Sequence, residues 1–187
     1  MNKHFRFSGS MLQKLEEHGV SAAAVLRRAG LSPAMVADAR ILLKTEELFA
    51  LWRAIGEVSA NPAIGLLLGA ETKTERFTAT GLAALSSENF GEALGRMARY
   101  KQLTCPEEIL QKKRRGEWII QFRWLLADES EPAVLIDCAF AWVLSIARHG
   151  TGTRISPKCV ELVEPQGHGA PLWLHGTYRR GAQRPGL

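Results

Sequence analysis

The sequence lacks most of the features that fix a chemistry by themselves. Its three cysteines, Cys105, Cys138 and Cys159, are far apart and form no Cys-x-x-Cys pair. That excludes a disulfide framework and a thiolate zinc site, and leaves free thiols buried in a reducing cytosol as the expectation. There is no Gly-x-Ser-x-Gly elbow, no phosphate-binding loop and no His-Glu-x-x-His. The five histidines, His4, His18, His149, His168 and His175, fall at termini, at helix ends or in the last stretch of chain. Catalysis, a metal centre and a cofactor are therefore not expected. No apolar core of signal-peptide length follows Met1. The longest apolar run, Pro132 to Ala147, is interrupted by Asp137 and is too short to span a bilayer. A cytoplasmic protein without a membrane partner is expected.

Charge of one sign is also scarce in the body of the chain. The net charge is +5, from 24 basic and 19 acidic residues. Beyond Pro165 stand Arg179, Arg180 and Arg184 and no acid, so the rest holds 21 basic residues against 19 acidic. A nucleic-acid footprint would be a basic face on a folded element, and the excess here belongs to the end of the chain instead. At 187 residues the chain suits one domain, which buries roughly 70% of its unfolded surface and needs no staple.

What is present is punctuated helix followed by a change of period. Ser10 is placed to cap a helix carrying Met11, Leu12 and Leu15 that stops at Gly19. A second runs from Ala22 to Ala29 and ends at Gly30, and Ser32-Pro33 opens a short turn of helix. Thr45 caps a longer one with Leu48, Leu51, Trp52, Ile55 and Val58 at helical spacing. Asn61-Pro62 starts another, with Ile64, Leu67 and Leu68 buried, and Thr78 to Leu85 is helical. Asn89 and Glu92 form a capping box for a helix whose apolar face is Phe90, Ala93, Leu94, Met97 and Leu103, with Tyr100 at its edge.

From Glu117 to Leu126 the pattern alternates. Trp118, Ile120, Phe122, Trp124 and Leu126 share one face, and Glu117, Gln121 and Arg123 the other, as in a half-buried strand. Arg114-Arg115-Gly116 turns back to a partner strand at about Glu108 to Lys113, leaving Lys112 to Arg115 as a solvated tip. Pro132 opens a helix that is apolar nearly all round and hence central. Arg148, His149 and Gly150 close it, and Lys158 to Glu164 forms a further strand. The expected fold is α+β and mostly helical: an N-terminal multi-helix bundle, then a small β-hairpin/helix/strand subdomain. The domain spans 1–165, with a helical part at about 8–104 and an α/β part at about 105–165. Residues 166–187 are expected to be an irregular basic tail, native or truncated.

Three segments, in order, carry a resemblance. They are Val25-Leu26-Arg27-Arg28-Ala29-Gly30-Leu31-Ser32-Pro33 with Leu42 to Trp52; Asn61-Pro62-Ala63-Ile64-Gly65-Leu66-Leu67-Leu68-Gly69; and Ala83 to Leu94 leading into Ala98-Arg99-Tyr100. Together they resemble the arabinose-binding-type N-terminal domain of AraC/XylS transcription regulators, over about Val20 to Pro165. The resemblance implies a domain that binds a small cytoplasmic effector, self-associates as a homodimer and biases a DNA-binding half. That half, two helix-turn-helix motifs, is absent from this sequence, so DNA is expected as a partner only through it. The family's name does not make the effector a sugar.

A ligand pocket is mostly apolar and aromatic with a few orienting polar groups. The candidates are Trp118, Phe122 and Trp124 on the strand, Trp142 on the apolar helix, and Tyr100 and Arg99 at the end of the capped helix. Together they line a cavity where the helices meet the hairpin, or else the strand aromatics are plain core and Arg99 a solvated helix end. Asp137 is the sole charge among Ala133, Val134, Phe140 and Ala141. A buried unpaired carboxylate costs several kcal/mol. It is therefore paired, with a cationic ligand group or with an arginine such as Arg96, Arg99 or Arg123, or it is protonated, or it faces water.

Two rival classes differ in testable ways. Ala22 to Ala39 superficially resembles a helix-turn-helix, but its second helix, Pro33 to Ala39, has no Arg, Lys, Asn or Gln to read bases and carries Asp38. A dimerisation module without a ligand uses the same apolar residue types as a sensor and remains the alternative.

Overall fold

Caps and turns divide the first half into short elements. In the computed structural model, which describes residues 5–38, 40–70, 76–127, 129–161 and 172–176, β1 (Phe5–Ser8) runs directly into α1 (Gly9–Glu17). The hydroxyl of Ser8, two residues before the expected Ser10, caps α1 by accepting from the Ser10 N–H. Ser21 caps α2 (Ala22–Arg28) in the same way through the Ala24 N–H. A 3-10 turn at Pro33–Ala37 follows. β2 (Arg40–Leu43) then pairs antiparallel with β1, a ribbon the sequence pattern did not reveal because each strand has only four residues.

In α3 (Thr45–Val58) the cap position is Lys44, whose N–H donates to the Glu47 carboxylate at 2.8 Å. Thr45, the expected cap, is instead buried in the first turn. The expected face of Leu48, Leu51, Trp52 and Ile55 is buried, joined by Phe49 and Ala54.

α4 (Ile64–Gly69) departs from expectation in the face it buries. Ile64 and Leu68 are buried, but Leu67 is exposed. The packed face belongs to Gly65 and Gly69, which lie against α7 (Ala133–Thr151). A Cβ on Gly65 would collide with the Val134 carbonyl oxygen and sit 2.8 Å from the Asp137 Cβ. One on Gly69 would collide with the Cys138 carbonyl oxygen and sit 2.7 Å from the Ala141 Cβ. The contact is backbone against backbone, so the bulky leucine between the glycines is turned outward. The Lys14 ammonium from α1 closes the far end of α4 by donating to the carbonyls of Leu68, at 2.9 Å, and Ala70, at 3.2 Å.

α5 (Ala79–Leu85) is capped by Thr78 through the Gly81 N–H. α6 (Phe90–Thr104) starts at Asn89, whose side chain accepts from the Glu92 N–H at 3.0 Å. The returning bond goes from the Glu88 N–H, not that of Asn89, to the Glu92 carboxylate. β3 (Glu107–Arg114) and β4 (Glu117–Trp124) form the expected hairpin in the register Ile109↔Phe122. Arg115 and Gly116 at its tip have φ of 51° and 82°, the conformation of a two-residue turn whose twist matches the strands. Lys112 to Arg115 are exposed, as a solvated tip should be.

α7 passes through Gly150 and ends at Gly152, which takes the left-handed cap conformation with φ 61°. By length and composition α7 could cross a membrane. It packs instead against α3, α4, α5 and α6, which is the disposition of a core helix.

β5 (Cys159–Glu161) falls within the expected strand, and Leu162 to Glu164 lie outside the described residues. The larger correction is β6 (Leu172–Gly176), found where the sequence pattern suggested an irregular tail. It pairs with β4 on one side and β5 on the other, giving a four-stranded antiparallel sheet in the order β3-β4-β6-β5. β4 is therefore an inner strand, and Gln121, expected on a solvated face, is only 6% exposed. Arg179, Arg180 and Arg184 lie outside the described residues.

The fold is α+β and mostly helical. One core gathers β1, α1, α2, β2, α3 and α4 with Leu135 and Cys138 of α7. A second gathers α5, α6 and the hairpin around Ala139, Phe140, Val143 and Ile146 of α7. A single helix thus serves both. Gly69→Ala and Gly65→Ala should each destabilise the fold by about 1–3 kcal/mol, the usual cost of overpacking. Leu67→Ala, on the exposed side, should stay within about 0.5 kcal/mol. Urea denaturation of the three variants measures the difference.

Candidate functional site

α7 presents different faces to two places. Along one face, Asp137, Phe140, Ala141, Leu144 and Arg148 form the floor of a cleft of about 440 Å³. Leu66 and Ala70 close one side, and Pro157 and Val160, leading into and within β5, the other. The lining is largely carbon. Loss of water around Asp137 raises the pKa of its carboxyl. None of the three arginines expected as structural partners reaches it. Arg96 donates to Glu92, to Ser86 and to the Ala83 carbonyl. Arg123 is paired with Glu108. Arg99 is exposed on α6. Asp137 has no ion pair among the described residues. Eleven residues and three helical turns along the same face, the Arg148 Nε donates to the Ile155 carbonyl at 2.7 Å.

Another face of α7 brings Cys138 and Trp142 to a buried junction between the two cores. There the Lys101 ammonium of α6 lies 2.9 Å from the Glu107 carboxylate at the start of β3. Glu107 is 0% exposed and the Lys101 side chain 23%. The Cys105 thiol is 3.8 Å from the same carboxylate oxygen, and the Lys101 ammonium stands 5.4 Å from the Trp142 ring centroid, a cation–π contact. The Trp124 ring packs edge-on against Phe49, at 4.9 Å, and Phe5, at 6.2 Å. Glu131, just before α7, completes the group.

Burial and the neighbouring Glu107 charge push the Glu131 carboxyl up to about 8, against the opposing pull of the Trp124 indole and Lys101. Burial alone would lower the Lys101 pKa, but Cys105 and Glu107 outweigh it and raise it. Burial pushes Cys105 up to about 11 and Cys138 up to about 12, so neither is a reactive thiolate. Cys159, expected to be buried, is exposed. Among the described residues, one oxygen each of Glu107 and Glu131 and the indole nitrogens of Trp124 and Trp142 are buried without a hydrogen-bond partner of normal geometry.

The sequence candidates thus separate. Asp137 lies in the cleft, Trp142 borders the junction over Lys101, and Trp124 packs against Phe49 and Phe5. Phe122 is buried against Phe140 at 5.3 Å, as core. Trp118 packs where a Cβ on Gly91 would lie 2.5 Å from it, and the Lys113 ammonium stands 5.7 Å from its ring centroid. Tyr100, like Arg99, is exposed on α6. Lys101, Glu107 and Glu131 escaped sequence reasoning. Charged residues flanking a strand and a helix look like solvated ends, and nothing in their spacing signals burial.

Residues 19–184 match the family described as the arabinose-binding domain of AraC transcription regulators, N-terminal. The chain belongs to that family. As an AraC-type N-terminal domain it is a ligand-sensing domain of a transcription regulator. No curated protein matches it. Solved structures share the fold of this AraC-type domain at low identity. The structure titled "Probing the function of heme distortion in the H-NOX family" matches with a TM-score of 0.62 at 16% identity, over 96% of each chain. A second, titled "Structural insights into the molecular mechanism of H-NOX activation", has a TM-score of 0.59 at 13% identity and covers 95% of this chain and 97% of that one. A third, titled as an oxygen-binding H-NOX domain related to soluble guanylate cyclases, has a TM-score of 0.58 at 15% identity and covers 94% of this chain and 97% of that one.

The buried pair gives this AraC-type domain a measurable signature. Lys101→Met leaves Glu107 without its cation and should cost about 3–5 kcal/mol. Lys101→Met combined with Glu107→Leu, which removes both charges, should recover most of that loss. Chemical denaturation at neutral pH checks both.

Proposed function

We propose that the domain senses a small cytoplasmic metabolite held in the cleft between α4, α7 and β5. In this reading it acts as a homodimer and passes its state to a helix-turn-helix region outside this sequence. The observation that carries the reading is a 440 Å³ apolar cleft with one desolvated carboxyl, Asp137, that has no ion pair among the described residues. Ligand sites combine an apolar lining with a few orienting polar groups, and Asp137 suits a cationic or hydrogen-bond-donating group of the effector. The effector would act by binding one of two states more tightly, a coupling of typically about 1–3 kcal/mol. Catalysis is no part of the reading.

The titles of the solved structures name haem and oxygen for those proteins. The cleft lining offers Asp137, Ser145 and Arg148 but no His, Cys, Met or Tyr. Of the histidines whose side chains are described, His18 is an exposed helix cap and His149 packs edge-on against Phe77 at 5.4 Å. The cleft lining supplies no residue suited to an axial iron ligand, and the proposal includes no haem.

One observation favours a second reading. Leu66 and Val160 are exposed at the rim of the cleft, as they would be on a self-association surface. A thermal-shift screen of metabolites, followed by tryptophan fluorescence, separates the two. Ligand at a hundred times its dissociation constant adds about 2.7 kcal/mol, a shift of a few degrees. Asp137→Ala should abolish that shift while leaving the ligand-free melting temperature near wild type. A variant with unchanged affinity would remove Asp137 from the site. A melting temperature that responds to protein concentration and to no compound would favour the dimerisation module.

A further inference from the structure

We propose, resting on the reading of the cleft as the effector site, that its ligand is an elongated zwitterion of the ω-amino acid kind, with its ammonium at Asp137, its carboxylate at Arg148 and its apolar middle along α7 between them. Asp137 and Arg148 both line the cleft. They stand eleven residues apart on one helix. At about 3.6 residues per turn that is close to three full turns, so both project from nearly the same side, roughly 16 Å apart along the axis. Ala141 and Leu144 fill the turns between them on that side, and Phe140 flanks these. What separates the two charges is therefore mostly carbon. Ser145, next to Leu144, is the one other polar residue of the lining.

Neither charge is met by the protein. Asp137 has no ion pair among the described residues. Arg148 donates from its Nε to the Ile155 carbonyl at 2.7 Å, which ties the guanidinium to the chain leaving α7. Among the described residues no carboxylate pairs with its terminal nitrogens, the fork that binds a carboxylate through two parallel bonds. The two residues do not neutralise each other, because ion pairs along a helix form at spacings of three or four residues. Loss of water already disfavours the Asp137 charge, and a ligand ammonium offsets that loss.

The separation of the charges selects among ligands. A neutral molecule meets neither pole, and an amine or a carboxylic acid meets one. An α-amino acid carries both charges on one carbon and cannot meet poles three helical turns apart. A chain with opposite charges at its two ends meets both, and its methylenes lie on Ala141 and Leu144. The cleft, at about 440 Å³, is within the usual size of a small-molecule site.

Titration calorimetry on the full chain tests this with ω-aminobutyrate, ω-aminohexanoate, ω-aminooctanoate and ω-aminodecanoate, with norleucine, and with octylamine and octanoate as single-charge analogues. Affinity should rise from aminobutyrate to the longer members. ω-Aminooctanoate should bind at least about tenfold more tightly than octylamine, octanoate or norleucine. Asp137→Asn should reduce its affinity to that of octanoate while octanoate binding persists. Arg148→Gln should reduce it to that of octylamine while octylamine binding persists. A variant that failed to fold would lose both ligands, and the comparison among ligands on wild type stands without either variant. Absence of binding across the series, a zwitterion no tighter than its single-charge analogues, or an advantage that survives both substitutions would overturn the proposal. An effector of another class that binds wild type but not Asp137→Ala would also overturn it, and would leave the cleft as the effector site.

Discussion

Two glycines on α4 press against the carbonyl oxygens of Val134 and Cys138, and this close approach fixes how α7 is rotated in the fold. With α4 and α7 touching along their backbones, Leu135 and Cys138 turn toward the first core, and Ala139, Phe140, Val143 and Ile146 toward the second. Asp137 is left beside the seam, in the cleft. A helix with an apolar surface nearly all round has no rotation of its own to prefer. The glycines impose one. Lys14, holding the last carbonyls of α4, secures a helix of only six residues that would be marginal alone.

The same rotation places two chemically different environments on one rigid rod. The cleft is open and mostly carbon-lined, with Asp137 and Arg148 as its two charged residues. The junction is closed and dense in ionisable groups whose energies depend on one another. Asp137 and Cys138 are adjacent residues, and Ala141 and Trp142 are adjacent again, so one helix lines both environments.

Helices with caps and clear periodicity were legible in the sequence, as were the hairpin and the central apolar helix. These depend on interactions within a few residues, such as Ser21 with Ala24 or Asn89 with Glu92. What remained hidden depends on partners distant in sequence. Leu67 fits a buried helical stripe, yet backbone contact by Gly65 and Gly69 takes its place. β6 is a five-residue strand among glycines and prolines, defined by β4 and β5 on either side. Lys101, Glu107 and Glu131 read as surface charges because a sequence records identity and not enclosure. Asp137 was the exception, since a lone carboxylate among apolar residues is visible as a local anomaly.

The strand order β3-β4-β6-β5 sets the order of assembly. The β3–β4 hairpin joins neighbours in sequence and can form as soon as its turn exists. Among the described residues β5 pairs with the sheet only through β6, and β6 returns across about fifty residues to reach β4, the kind of distant pairing that slows folding. β5 therefore joins the sheet once β6 is in place. Until then the inner edge of β4 presents an unpaired row of backbone donors and acceptors, and the half-built sheet is exposed to strands of other molecules.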